Sequence, residues 1–314
     1  MHLIIPYAAS QAFTGPEACA GLPLPHLQAL LGQLQPQALL RDSPASWHLP
    51  HERLLAQSLG WDPAAPTLPW AAWHQALQGH DSPQAQSWMT PCHWQIGIGQ
   101  VVMADPDHLH LSDTESQQLL LAMQPFLQED GLQATWHSAL RWHIQGALLT
   151  GLATASLDRV IGQNVQLWTS EQAAARPLQR LQSEMQMLLY NHPVNDARES
   201  RRQHTVNAFW LHGAGVLAAS SPVARQSAHM PDSLRSSALQ ADVAAWRQAW
   251  QALDNTAVAD ALQHLQTGGQ VTLSLCSELR AQSYTNKPAT WHQRISRLFN
   301  TTSPAAALQA LISD

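Results

Sequence analysis

A chain of 314 residues, 45% hydrophobic and only 12% charged, is long enough to bury a sizeable core and too apolar to be a disordered tail. Its formal charge of −6 provides no basic face to neutralise nucleic-acid phosphates. Lys287 is the single lysine beside 15 arginines, so a Schiff base or a P-loop has almost no candidate. Gln and His fill much of the polar surface instead, and the 17 histidines make the net charge sensitive to mild acid. Cys19, Cys92 and Cys276 lie far apart without a CxxC pair; this argues against a disulfide framework or zinc knuckle and fits reduced thiols in the cytoplasm. The N-terminal apolar run is too short for a signal peptide or a membrane span.

Leu3 to Ile5, closed by Pro6, has the pattern of a buried strand, and apolar residues from Leu24 to Leu34 recur at helical spacing. From about Pro44 to Pro91 the chain is rich in Pro, Trp and His, and Trp47, Trp61, Trp70, Trp73 and Trp88 are available to pack an irregular region or to anchor a protein partner. Alternation from Trp94 to Leu111 predicts strands, Ser112-Asp113 opens a helix over Glu115–Leu127, and a strand pair is predicted at Leu132–Trp136 and Leu140–Ile144. Arg176 to Tyr190 predicts a long helix, with Leu178, Leu181, Met185, Leu188 and Leu189 on one face. After a loop from Asn191 to His204, Val206–Leu211 is a buried-strand candidate running into the turn Gly213-Ala214-Gly215. Val243–Leu265 is helical, Gly268-Gly269 stops it, and Val271–Leu275 predicts a last strand.

Four groups carry chemistry. Asp105-Pro106-Asp107-His108-Leu109-His110 with Asp113 is dense enough in carboxylates and imidazoles for a metal. Along a strand, however, Asp107 would point opposite to His108 and His110, and a solvated turn is the plainer reading. His192-Pro193-Val194-Asn195-Asp196-Ala197-Arg198 places donors and acceptors in a loop after a helix. Close behind, Asn207 leads a strand that empties into His212-Gly213-Ala214-Gly215, where a Gly-x-Gly turn lets backbone N–H groups approach an anion. Cys276-Ser277-Glu278, with Arg280 beyond, ends the last strand, a place where α/β sheets bind ligands, although a free cysteine there fits a small core residue.

Read in order, His192-Pro193-Val194-Asn195 with Arg198, Asn207 and His212-Gly213-Ala214-Gly215 match the HPVN, R, N and RGAG elements of the archaeal-type cofactor-independent phosphoglycerate mutases of the alkaline phosphatase superfamily. The chain resembles that family, and more closely a bacterial family of similar proteins labelled phosphoglycerate-mutase-like or regulatory. Pro25-His26-Leu27 with Leu30 resembles the superfamily's PNL-type helix start, and Leu59-Gly60-Trp61-Asp62-Pro63 its LGYDP segment. The resemblance implies phosphoryl transfer with two divalent metals and a Ser or Thr nucleophile, yet the matching positions depart from it. The metal-binding aspartate after the first strand is replaced by Pro6-Tyr7-Ala8. The nucleophile falls near His51, with Ser46 the closest earlier hydroxyl. The late Asp-His-Gly becomes Cys276-Ser277-Glu278, and the arginine of RGAG becomes His212.

The expected fold is therefore α/β, an alkaline-phosphatase-like doubly wound sheet formed by residues 1–90 and 191–314, with an inserted α+β lobe over 91–190. The expected function is that of a non-catalytic relative without metal or cofactor. It would bind a small anionic or phosphorylated ligand, or a protein partner, in a regulatory role, through His192, Asn195, Arg198, Asn207, His212, Gly213 and Gly215. Neither nucleic acid nor membrane is expected as a partner. The alternative is an active metal-dependent mutase or phosphatase with Asp105, Asp107, His108 or His110 as substitute ligands.

Overall fold

The computed structural model describes residues 1–13, 16–171, 175–218, 228–286 and 303–313; Lys287 lies outside them. The chain forms two compact units, one from Met1–Pro63 with Ala224–Asp314 and one from Ala64–Val223. The first unit is thus built by both chain ends, but its limits differ from the expected 90 and 190. Residue 90 falls inside a strand, Gln86–Cys92, that pairs on one side with Arg141–Gln145 and on the other with Ala208–Gly215. These shared ladders keep all three strands in one unit.

The first unit opens with β1 (His2–Ile5), whose Leu3, Ile4 and Ile5 are fully buried. Helix α1 (Pro25–Leu31) follows with Pro25 in its first turn, but its N-cap, Leu24, has no side-chain acceptor. The carboxylate of Asp254, far along the chain, does that work, accepting from the N–H groups of His26 at 3.1 Å and Leu27 at 2.8 Å. Short strands β2 (Gln35–Pro36) and β3 (Leu40–Arg41) and helix α2 (Pro50–Ser58) complete this segment.

The second unit contains α3 (Trp70–Leu77), β4 (Gln86–Cys92), the hairpin β5 (Trp94–Gly97) and β6 (Gln100–Met103), and α4 (Asp113–Glu129). The strands β7 (Gln133–Ser138) and β8 (Arg141–Gln145) follow, then α5 (Leu157–Val160), α6 (Arg176–Tyr190), α7 (Pro193–Ser200) and β9 (Ala208–Gly215). Its main sheet is antiparallel in the order β7-β8-β4-β9. Side chains alternate across it. Met89, Trp142, Ile144 and Phe209 face a core shared with α4 and α6, whereas α3 packs on β4 and β9.

The first unit resumes with α8 (Arg235–Leu239), α9 (Val243–Leu253), a π turn over Asp254–Val258 and α10 (Ala259–Gln266), a helical run over the predicted 243–265. It ends with β10 (Thr272–Cys276), β11 (Arg280–Thr285) and α11 (Pro304–Gln309). Its sheet is mixed: β1 pairs parallel with β10, β10 antiparallel with β11, and β11 antiparallel with both β2 and β3. The α/β class expected from the sequence is present, with this mixed sheet at its centre. Among the described residues no helix is long and apolar enough to cross a membrane.

Candidate functional site

The His192–Gly215 motif is brought together in the second unit, but most of its polar groups serve the chain itself. His192 caps α7, its Nδ1 accepting from Val194 N–H at 3.2 Å, and Pro193 occupies the first turn. Burial lowers the pKa of its ring, against a smaller opposing effect of Asp196. Asn195, 3% exposed, donates from Nδ2 to the carbonyls of Leu189 and Val206, both at 2.8 Å, and accepts from Val206 N–H at 2.9 Å. Asn207 imitates a backbone pair, accepting from Trp94 N–H at 2.7 Å and donating to its carbonyl at 2.9 Å.

Arg198 is fully buried. Its Nε donates to the His204 carbonyl at 2.7 Å, one terminal nitrogen donates to Glu115 at 3.0 Å, and the other donates to the Leu109 carbonyl. Burial alone would raise the Glu115 pKa, but the Ser112 amide and hydroxyl, Arg198 and Arg201 together hold it below its ordinary value. One guanidinium thus ties α7 to the start of α4 and to the turn before it.

The predicted Gly213-Ala214-Gly215 turn is a bulge inside β9. Gln86 pairs with Gly215 and Trp88 with His212, so two residues of β9 stand opposite Ser87. Gly213 has φ +62°, and a Cβ there would lie 3.0 Å from Trp70 Cβ; one on Gly215 would lie 3.0 Å from Pro69 Cβ. These glycines admit the start of α3, the close neighbour that excludes a side chain at each. His212 Nε2 meets Thr90 Oγ1 at 3.0 Å.

In the first unit, the carboxyl ends of β1 and β10 are adjacent and filled. Ala8 N–H donates to the Cys276 carbonyl at 2.7 Å. Tyr7, with φ 53° and 2% exposed, sets its ring 5.8 Å from that of His51, itself buried. The Tyr7 and Ala8 carbonyls accept from the indoles of Trp246 at 2.9 Å and Trp250 at 3.0 Å. Glu278 accepts from Ser10 Oγ at 2.5 Å and from Gln11 N–H at 3.0 Å. Cys276 is fully buried and its thiol pKa is pushed up, which suits a core residue and not a nucleophile. Ser277 Oγ donates to the Leu311 carbonyl at 2.9 Å.

Asp105-Pro106-Asp107-His108-Leu109-His110 is a capped turn. Asp105 accepts from Asp107 N–H at 3.1 Å before a 3₁₀ turn over Pro106–Leu109, and His110 closes it at φ 46°. Among the described residues, no three His, Cys, Asp or Glu side chains converge as a metal-binding group. Of the tryptophans of the 47–88 segment, Trp88 is buried and Trp47, Trp61, Trp70 and Trp73 are half-buried, Trp70 with its ring 5.9 Å from that of Trp73; no described tryptophan is exposed.

Two cavities belong to the second unit. A small apolar one, of about 80 Å³, lies between α6 and β9. The other, of about 530 Å³, lies over the face of the sheet opposite its apolar core and is lined by glutamines and imidazoles from α3, β4, β7 and β8. Phe209, Trp210 and Leu211 of β9 line the first, but His192, Asn195, Arg198, Asn207, His212, Gly213 and Gly215 line neither. His137 and His143, which line the larger cleft, meet the rings of His74 and Trp88 outside its lining, with ring separations from 5.0 to 5.8 Å. Burial, then the neighbouring His137, His74 and His80, push the His143 pKa down to about 4. Burial, His137 and Arg141 lower that of His74. A partial sequence signal for this face exists: in β7 and β8, which run one residue or more beyond the predicted strands, His137, His143 and Gln145 alternate with Trp136, Trp142 and Ile144.

No family model and no curated protein match the chain. Among solved structures, it is similar to the cofactor-independent phosphoglycerate mutase from Thermoplasma acidophilum DSM 1728. The identity is 12% over 99% of this chain and 100% of that one, with a TM-score of 0.38. It is also similar to the PH0037 protein from Pyrococcus horikoshii, at 10% identity over 90% and 86% of the two chains and a TM-score of 0.44. Both likenesses are distant.

Proposed function

We propose that this chain is a non-catalytic relative of the cofactor-independent phosphoglycerate mutases, acting in a regulatory role by binding a ligand or a protein partner. The observation that carries the reading is the filled junction between β1 and β10. Two-metal phosphoryl transfer needs carboxylates and imidazoles converging there, with a hydroxyl beside them. The junction instead holds a buried Tyr7–His51 ring pair, two indoles bonded to backbone carbonyls, and a Glu278 carboxylate already accepting two hydrogen bonds. The motif order from His192 to Gly215 favours the family relationship, and its internal hydrogen bonds favour a structural use of those residues.

The test is turnover of 3-phosphoglycerate and of p-nitrophenyl phosphate with Mn²⁺, Co²⁺, Zn²⁺ or Mg²⁺ supplied. Rates at background with every metal are expected. Turnover that is abolished by chelator and restored by one of these metals would overturn the reading.

A further inference from the structure

The cleft over the polar face of the second unit's sheet is lined by a nearly buried side-chain amide whose nitrogen finds no acceptor among the described residues. Gln86 is 1% exposed, and its Oε1 is taken at 2.7 Å by His143 Nε2. His143 Nδ1 lies 3.5 Å from Thr135 Oγ1, an arrangement in which Nε2 carries the proton and donates to the glutamine carbonyl. The Gln86 amide nitrogen then has its two N–H groups left for the cleft. Among the described residues nothing accepts from it, although the residue is more than nine-tenths buried. A polar group in that position is costly unless something accepts from it.

The surroundings decide what kind of acceptor fits. Gln75 and Gln78 add amide groups that carry both donors and an acceptor, and Gln145, which gives one N–H to Gln133 at 2.6 Å, adds a third. No lysine or arginine lines the cleft, and its one carboxylate, Asp81, repels anions. His143, held neutral by burial and by its neighbouring imidazoles down to about pH 4, supplies no counter-charge near neutrality. A phosphate or carboxylate would therefore lose its hydration with no lysine or arginine to meet it, only the imidazoles of His80 and His137 beside Asp81. The volume, about 530 Å³, falls in the range of small-molecule sites.

We infer that this cleft binds an uncharged, polyhydroxylated small molecule, a sugar or a nucleoside, with one of its hydroxyl or carbonyl oxygens accepting from the Gln86 amide. The inference rests on the proposed binding role and names the ligand class for it. The probes are glucose and uridine, each paired with its phosphorylated counterpart, glucose 6-phosphate and uridine monophosphate, and followed by saturation-transfer NMR and calorimetry on the full chain.

At least one neutral probe is expected to bind with Kd of about 1 mM or tighter, and its phosphorylated counterpart about tenfold more weakly. Gln86→Glu replaces the donating amide by an acceptor of the same size and is expected to weaken the neutral probe about tenfold. Gln75→Ala, on α3 at the rim, is expected to weaken it less and keeps the test open where Gln86→Glu does not fold. The inference is overturned by tighter binding of a phosphorylated probe than of its parent, by no binding of either neutral probe, or by binding that both variants leave unchanged. Metal-dependent turnover, by contrast, would remove the non-catalytic reading and leave this binding result standing.

Discussion

Replacing Arg198 with methionine keeps most of the side-chain volume and removes the guanidinium. In the structure, that group is fully buried and bonded to Glu115 and to the carbonyls of Leu109 and His204. Removing one partner of a buried ion pair costs about 3–5 kcal/mol. Glu115 softens the loss by keeping Arg201 and Ser112, but the stranded, buried Leu109 carbonyl adds about 1–3 kcal/mol. A loss of about 4 kcal/mol is therefore expected for Arg198→Met. Arg198→Lys, which retains charge without the planar fork, is expected to lose about 2 kcal/mol. Urea unfolding followed by circular dichroism reads both, on whichever transition reports the second unit. A loss under about 1 kcal/mol in Arg198→Met, with ligand binding abolished instead, would refute the structural role and return this arginine to a binding site.

Three further outcomes follow from the same geometry. The folded-state pKa of His143 is depressed to about 4, below the ordinary value near 6.5, so the unfolded chain takes up this proton first and stability falls as pH drops through that window. The slope limit is about 1.4 kcal/mol per pH unit. Screening reduces the total, and the stability gap between wild type and His143→Gln should shift by about 2 kcal/mol in favour of the variant between pH 7 and 4.5; parallel profiles in denaturant titrations would contradict the neutral assignment. Asp254→Ala should cost about 2 kcal/mol, because the carboxylate caps α1 from a distance; an unchanged melting temperature would show that α1 needs no such cap. Gly213→Ala should lose about 1–3 kcal/mol through its left-handed φ and the 3.0 Å approach to Trp70, and a fully tolerated alanine in thermal melts would mean that the bulge relaxes.

Much of the architecture was legible where local patterns dominate. Helix α6 covers the predicted Arg176–Tyr190 because its apolar positions recur every three or four residues. Helix α4 begins at the predicted Ser112, which forms a capping box with Glu115. Helices α2 and α3 were hidden in a segment expected to be irregular, since Pro50 and Pro69 stand at helix starts and there open the helices they seemed to break. Helix α7 carries no apolar stripe in the sequence, and His192 and Pro193 start it. The motif residues were identifiable by order, but their use was not. Whether Asn195 or Arg198 meets a ligand or a backbone carbonyl depends on segments more than ten or eighty residues away. The polar cleft shows the same limit. Alternation on β7 and β8 marks its imidazole face, but α3, which walls it, comes from an earlier part of the chain.

The filled junction of β1 and β10 is tested most directly by an anomalous difference map from crystals soaked in manganese. The account predicts no peak among Tyr7, His51, Cys276 and Glu278, with the Tyr7–His51 ring pair and the Trp246 and Trp250 hydrogen bonds intact. One or two strong peaks there, ligated by side chains that have turned inward, would contradict it.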